Sequence, residues 1–354
     1  MNKNTILEVN KKTFLDNYKK IENYIYPKKI IPIVKAHAYG TYLDKDIELM
    51  NNFDILGVAR IEEGISLRKL GYNKEILILN QISYEELEEV YNYNLTIGLA
   101  TKEMISKINK KVKIHLEIET GMNRTGINVN DLELIIKEIK NNNNIIVEGV
   151  YTHFSSADSD IDYTNKQISI FQKAVNILKK HFNLKYIHSS ASSGLLNFDD
   201  KVSNYTRPGI LLYGYEPYKG AKEKINVEGT TSLKTKITFI KEVDKNTSIS
   251  YNQKFITKEK MTIATIPIGY ADGLKRSLSN IEDVLVKNKR CKILGNICMD
   301  SCMIDITGLD VKIGDEVIIW NNNDITLEEI SNNANTISYE ILSTITDRVE
   351  RIIK

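Results

Sequence analysis

The sequence predicts an α/β protein, with a TIM-like (β/α)8 barrel over residues 1–228 and a C-terminal mostly-β domain over residues 229–354. Three observations carry that expectation. From residue 30 to about 215, short apolar runs alternate with amphipathic stretches, as parallel strands with covering helices require. After about residue 228, strand-like runs follow one another, broken by the turn pairs Asp272-Gly273, Thr307-Gly308 and Gly314-Asp315. A chain of 354 residues is also too long for one ordinary domain.

The expected barrel strands are 30–35, 55–59, 76–80, 96–99, 112–118, 146–153, 185–189 and 209–213. They are rich in Ile, Leu and Val, the composition of strands buried on both faces. Helical patterns at 62–70, 83–92, 101–109, 130–140 and 162–181 lie between them. A doubly wound open sheet is the competing architecture, but no Gly-x-Gly-x-x-Gly turn follows the first strand. In the second half, strands are expected at 231–243, 248–251, 261–268, 283–287, 291–295, 302–306 and 316–320. Two helices are expected there, near 326–333 and 339–346. No internal repeat is visible.

Composition removes several classes of partner. Charged residues make up 27%, hydrophobic ones 42%, and the net charge is +2, which favours neither nucleic acid nor membrane. The basic run Lys110-Lys111-Val112-Lys113 is short and carries no aromatic residue. Met1-Asn2-Lys3-Asn4-Thr5 has no apolar core of signal length, and no stretch approaches the roughly 18 apolar residues of a spanning helix. The three cysteines, Cys291, Cys298 and Cys302, lack metal-ligand spacing. A reduced, cytoplasmic protein without a metal is expected.

Lys35 is the first candidate for chemistry. It ends the apolar run Ile30-Ile31-Pro32-Ile33-Val34 and precedes the turn Ala36-His37-Ala38-Tyr39-Gly40. Desolvation at a strand mouth disfavours the ammonium, and a neutral amine is a nucleophile whose commonest use is a Schiff base with a carbonyl or with pyridoxal phosphate. A lysine that snorkels to solvent is the alternative for this segment taken alone. Other strand ends add polar groups on the face where barrel enzymes gather function. Strand 112–118 runs into Glu119-Thr120-Gly121-Met122-Asn123-Arg124, whose guanidinium suits a carboxylate or phosphate. Strand 146–153 delivers His153. Strand 185–189 delivers His188 and the hydroxyl-rich Ser189-Ser190-Ala191-Ser192-Ser193-Gly194, and Arg207 stands beside Pro208-Gly209. Each feature alone is commonly structural; the force lies in their recurrence at successive strand ends.

The stretches Val34-Lys35-Ala36-His37-Ala38-Tyr39-Gly40, Thr120-Gly121-Met122-Asn123-Arg124, Arg207-Pro208-Gly209-Ile210-Leu211-Leu212-Tyr213-Gly214, Pro267-Ile268-Gly269-Tyr270-Ala271-Asp272-Gly273 and Cys298-Met299-Asp300 resemble the alanine racemase family. The resemblance implies a pyridoxal-phosphate-dependent amino-acid racemase that works as a homodimer with active sites shared between subunits. It implies that Lys35 carries the cofactor and acts as one acid/base, and that Tyr251 of the partner chain is the other. A proton leaves one face of the α-carbon and another arrives at the opposite face, so two bases are needed. By the same resemblance Tyr39, Ser192, Gly209 and Ile210 hold the phosphate, and Arg207 faces the pyridine nitrogen. Arg124 and the backbone of Met299 take the substrate carboxylate, Tyr270 shapes the entrance, and His153 and His188 support Tyr251 and Arg207. The implied role is supply of D-amino acids to peptidoglycan.

Two positions depart from the family pattern. Glu117 stands where many members carry a lysine that becomes carbamylated, so its carboxylate is expected to serve Arg124. Asp347 stands where a tyrosine is usual, close to phosphate and substrate, and is expected to widen the pocket toward serine or larger amino acids. The run Ser192-Ser193-Gly194-Leu195-Leu196-Asn197 likewise resembles serine racemases. A pyridoxal-phosphate-dependent decarboxylase shares the architecture but needs no opposed base.

Overall fold

The structure, a computed structural model, describes residues 4–354. Its first half is a closed parallel sheet of eight strands: Lys29–Ile30, Ile55–Val58, Glu75–Ile78, Thr96–Leu99, Val112–Glu117, Ile145–Tyr151, Tyr186–His188 and Tyr205–Thr206. Lys29 pairs with Tyr205 on one side of the seam, and Ile33 bridges to Gly57 on the other, so the sheet closes on itself. Gly57 leaves room for the Ile33 side chain at this seam: a Cβ there would lie 2.5 Å from Ile33 Cδ1. The strands are almost wholly buried, and the helices between them cover the outside with apolar stripes. In helix Leu132–Lys140 the buried residues are Leu132, Ile135, Ile136 and Ile139, a helical repeat.

Seven of the eight expected barrel strands overlap observed ones, and the eighth does not. Residues 209–213 form tight turns instead, with Leu212 N–H bonded to Gly209 O at 2.9 Å and Tyr213 N–H to Ile210 O at 3.0 Å. The strand that completes the barrel is Tyr205–Thr206. Ile210, Leu211, Leu212 and Tyr213 are fully buried, and a short buried apolar run reads alike as strand or coil. Expected strand 30–35 also stops short of Lys35, which begins a turn. At the N-terminus lies a helix not expected from the sequence, Lys11–Ile25, capped by the Asn10 side chain and buried through Phe14, Asn17, Ile21 and Ile25.

The second half is a nine-stranded sheet in the order Phe239–Val243, Met261–Ile266, Cys302–Asp305, Lys289–Leu294, Asp283–Val286, Glu316–Trp320, Thr231–Lys236, Ile6–Val9 and Glu350–Ile353. The expected run 231–243 is two strands, Thr231–Lys236 and Phe239–Val243, broken at Ile237-Thr238. The chain's first strand, Ile6–Val9, belongs to this sheet, antiparallel to Thr231–Lys236 and parallel to the final strand. Helices Leu327–Asn333 and Ser338–Ser343 follow the last long strands. The second of them packs on the turn after Lys35, where a Cβ on Gly40 would lie 2.4 Å from Leu342 O. No helix among the described residues is long and apolar enough to cross a membrane.

Candidate active site

Lys35 opens a left-handed turn. Ala36, His37, Ala38 and Tyr39 have φ of 52°, 52°, 51° and 58°, and Gly40 follows at 79°. For residues with a Cβ this conformation costs about 1–2 kcal/mol each, so the surroundings must hold it. They do so with hydrogen bonds from Ala38 N–H to Val34 O (2.9 Å), Gly40 N–H to Ala36 O (2.8 Å) and Tyr42 N–H to His37 O (2.9 Å). From the second domain, Arg351 donates to Gly40 O at 3.1 Å. The turn aims Lys35 and Tyr39 into one cavity.

That cavity has a volume of about 280 Å³ and is lined by Lys35, Tyr39, Arg124, His153, Ser192, Arg207 and Gly209, among others. Burial lowers the Lys35 ammonium pKa, Arg124 and Arg207 lower it further, and Glu63 opposes them. Ser192 Oγ accepts from Gly209 N–H at 3.1 Å, and a Cβ on Gly209 would sit 2.0 Å from the Tyr39 hydroxyl oxygen. Only a bare backbone lets these hydroxyls and amides face the same space. Arg124 is exposed at the rim, with no ion-pair partner among the described residues.

Arg207 is buried, and both terminal nitrogens of its guanidinium are engaged. It donates to His188 Nδ1 and His188 O, both at 2.8 Å, to Thr152 O at 2.7 Å, to Ser189 O at 3.1 Å and to His153 Nδ1 at 3.2 Å. A guanidinium only donates, so both histidines accept through Nδ1 and carry their proton on Nε2. His188 Nε2 lies 2.8 Å from His115 Nδ1, which extends the chain into the barrel core. Burial first, then the charges of Arg207, Arg124 and Lys35, push His153 down to about 3. His153 is therefore neutral, and the positive field here comes from Arg207, Arg124 and Lys35.

The remaining expected residues divide into two groups. His188, Glu117 and Ile210 are buried behind the cavity wall. Glu117 accepts from Gln81 Nε2 at 3.0 Å and Thr125 Oγ1 at 2.7 Å, so it secures the loop that carries Arg124 without pairing with Arg124 itself. Ile210 can offer the cavity only its backbone. Tyr251, Met299 and Tyr270, by contrast, are 67%, 52% and 43% exposed and lie outside the cavity. They gather on the second domain: Asn296 Nδ2 donates to Tyr251 O at 2.9 Å, and Tyr270 N–H to Cys298 O at 3.1 Å. Asp347 also lies outside the cavity, its carboxylate bonded to the Tyr42 hydroxyl. The Tyr42 side chain holds it there, stacked on His37 at 4.7 Å and covered by Arg351. Tyr339 lines the cavity from the second domain, 6.1 Å from Tyr39 between ring centroids, and a lone tyrosine in a helical stretch gives no sequence signal of this.

A reactive amine, a buried guanidinium and a group of hydroxyl and amide donors at the strand ends of a barrel define an enzyme that holds an anionic cofactor by a lysine. The family model for the alanine racemase N-terminal domain matches residues 9–217, and that for the C-terminal domain matches 230–353. The chain belongs to the alanine racemase family. An alanine racemase of Methanococcus maripaludis is 38% identical, with 98% of this chain and 97% of that protein covered. Alanine racemase 2 of Caldanaerobacter subterraneus is 37% identical over 98% of this chain and 94% of its own. The alanine racemase structure from Clostridium difficile 630 superimposes with a TM-score of 0.95 at 34% identity, over 100% of this chain and 96% of that one. The Bacillus anthracis enzyme with bound L-Ala-P gives 0.93 at 30%, with the same coverage.

Pyridoxal phosphate is the cofactor of this family, and the cavity fits it. Lys35 would supply the amine, and the Gly209 cradle with Ser192 and Tyr39 would supply donors for a phosphate. Arg207 would supply a fixed cation that cannot give up its proton to a ring nitrogen.

Proposed function

We propose that this chain interconverts L- and D-alanine with pyridoxal phosphate on Lys35, as a homodimer in which each cavity is completed by Tyr251, Tyr270 and Met299 of the partner. The observation that carries the reading is the lowered Lys35 amine in one cavity with buried Arg207 and the Gly209 cradle. The exposure of three family-motif residues on the opposite domain supports the dimer.

The bound cofactor supplies an electron sink for the pair left at the substrate α-carbon. The chain does the rest. Tyr39 and Ser192, with the backbone of Gly209 and Ile210, hold the phosphate, and Arg207, backed by His188, fixes the ring edge. Arg124 and the Met299 backbone orient the substrate carboxylate, and Tyr270 narrows the entrance. Lys35 holds or delivers a proton on one face of the α-carbon, and Tyr251 on the other. A barrel and a β domain meeting near residues 228 and 229, with Ile6–Val9 lent to the β sheet, form the protomer. We place the enzyme in the cytoplasm, supplying D-alanine to peptidoglycan.

The test is α-proton exchange in heavy water over L-alanine, L-serine, L-lysine and L-ornithine, read by chiral chromatography. Alanine is expected to be turned over at least tenfold faster than the others. Asp347 sits outside the cavity, so the case for a widened pocket has no support from the protomer. Exchange that ends in decarboxylated product, or none with any amino acid, would defeat the proposal.

Glu117 is assigned to Arg124 through Thr125. Glu117→Ala frees the 120–126 loop, and the Michaelis constant for alanine is expected to rise roughly five- to tenfold with a smaller change in kcat. An unchanged Michaelis constant would remove Glu117 from the substrate site.

A further inference from the structure

The left-handed turn that presents Lys35 is strained at four consecutive residues with a side chain, and one carboxylate outside the cavity fastens its first peptide group. Glu63 Oε1 accepts from Ala36 N–H at 2.6 Å. Its Oε2 accepts from Ala59 N–H at 2.8 Å and from Arg60 N–H at 3.0 Å. Three amides from two separate segments thus converge on a single side chain. Glu63 is the third residue of helix Ile61–Lys69, whose N-cap, Arg60, is extended at φ −120°. A glutamate at that position ordinarily caps its own helix. Here one oxygen caps, and the other reaches across to the residue next to Lys35. Ala59, held by the capping oxygen, lines the same cavity as Lys35.

We propose that Glu63 is a positioning residue for Lys35: it locks the strained turn to the neighbouring strand end and supplies negative charge beside the amine. The inference rests on the reading of Lys35 as the cofactor lysine. Charge-assisted bonds to a carboxylate are roughly twice as strong as neutral ones, so this clamp offsets part of the strain in residues 36–39. The charges facing Lys35 are Arg124, Arg207 and Glu63, and His153 beside them is neutral. With two guanidiniums depressing the ammonium, the carboxylate keeps the amine from losing its proton too readily. A lysine that must both release and return a proton needs its affinity held near the working pH.

The sign of the charge effect is fixed. Removing the carboxylate charge destabilises the ammonium, so the neutral amine persists to lower pH. The experiment uses full-length protein stripped of cofactor and recombined with pyridoxal phosphate between about pH 6 and 10. Attachment is followed by absorbance, and borohydride reduction with mass spectrometry identifies the labelled lysine. In Glu63→Gln the half-point of the attachment rate is expected to fall by roughly half to one pH unit. Amide exchange in the peptide spanning 34–41 should rise at least severalfold, because a glutamine cannot accept at both ends. Glu63→Asp keeps the charge but is too short to span both segments; it should speed exchange while shifting the half-point less.

An attachment profile for Glu63→Gln that overlays the unsubstituted protein, or moves to higher pH, overturns the proposal. So does unchanged exchange in the turn. If Glu63→Gln does not fold, Glu63→Asp decides alone, and exchange no faster than normal overturns the clamp. Failure of the parent reading looks different: the unsubstituted protein would then carry no label on Lys35 at all.

Discussion

Lys35→Ala is expected to lose racemisation by at least roughly 10³-fold, with the loss in kcat. On the proposed function two roles would vanish together, the covalent hold on the cofactor and the acid/base on one face of the substrate. The violet-light band of lysine-bound pyridoxal phosphate should disappear from the purified protein. The fold should not follow, because the Lys35 side chain opens onto the cavity and makes no hydrogen bond that shapes the turn. Circular dichroism is expected to match the parent protein. A small primary amine added in solution should restore part of the exchange, since the space left by the side chain admits it. Retention of more than about a tenth of the activity, or of the absorption band, would show that Lys35 is not the reacting amine.

Much of the barrel was readable because burial on both faces writes a strand as an unbroken Ile/Leu/Val run, as in Ile55–Val58 and Thr96–Leu99. The same rule misplaced the last strand. Residues 210–213 are as apolar and as buried as any strand, yet Tyr205–Thr206, with two partly polar residues, closes the sheet. Local composition reports burial, and pairing is decided by distant partners. Helix Lys11–Ile25 did carry a signal, an Asn cap with buried positions three and four residues apart, that the expectations starting at residue 30 passed over.

The site divides along a different line. Residues whose strand ends converge, Lys35, Arg124, His153 and Arg207, could be gathered from sequence because barrel topology gathers them. The turn conformation could not: Ala36, His37 and Ala38 have no intrinsic leaning to positive φ, and bonds from distant residues, Glu63 to Ala36 and Arg351 to Gly40, add to the turn's own bonds in holding it. Tyr339 and Glu63 were missed for the same reason, since their roles arise from where neighbouring elements fold. Asp347 lies outside the protomer's cavity, and its carboxylate accepts from the Tyr42 hydroxyl, a partner that a sequence position cannot announce.

Mixed dimers are expected to recover activity that neither parent variant has. Tyr251→Phe removes the phenol proton and should lower racemisation by roughly 10² to 10⁴-fold. The enantiomer whose α-hydrogen faces Lys35 should still exchange in heavy water without inverting, because one base remains. Lys35→Ala is inactive for the complementary reason. When the two variants are unfolded, mixed in equal amounts and refolded together, half of the dimers are hybrids. Each hybrid has one cavity with Lys35 from one chain and Tyr251 from the other, and one cavity with neither, so about a quarter of all sites are intact. The mixture should therefore regain about a quarter of the parent activity. Were Tyr251 to serve its own chain's Lys35, every site in every dimer would lack one base, and mixing would recover nothing. The two outcomes differ by roughly fiftyfold or more, and only an arrangement that brings exposed Tyr251 over a partner's cavity gives the first.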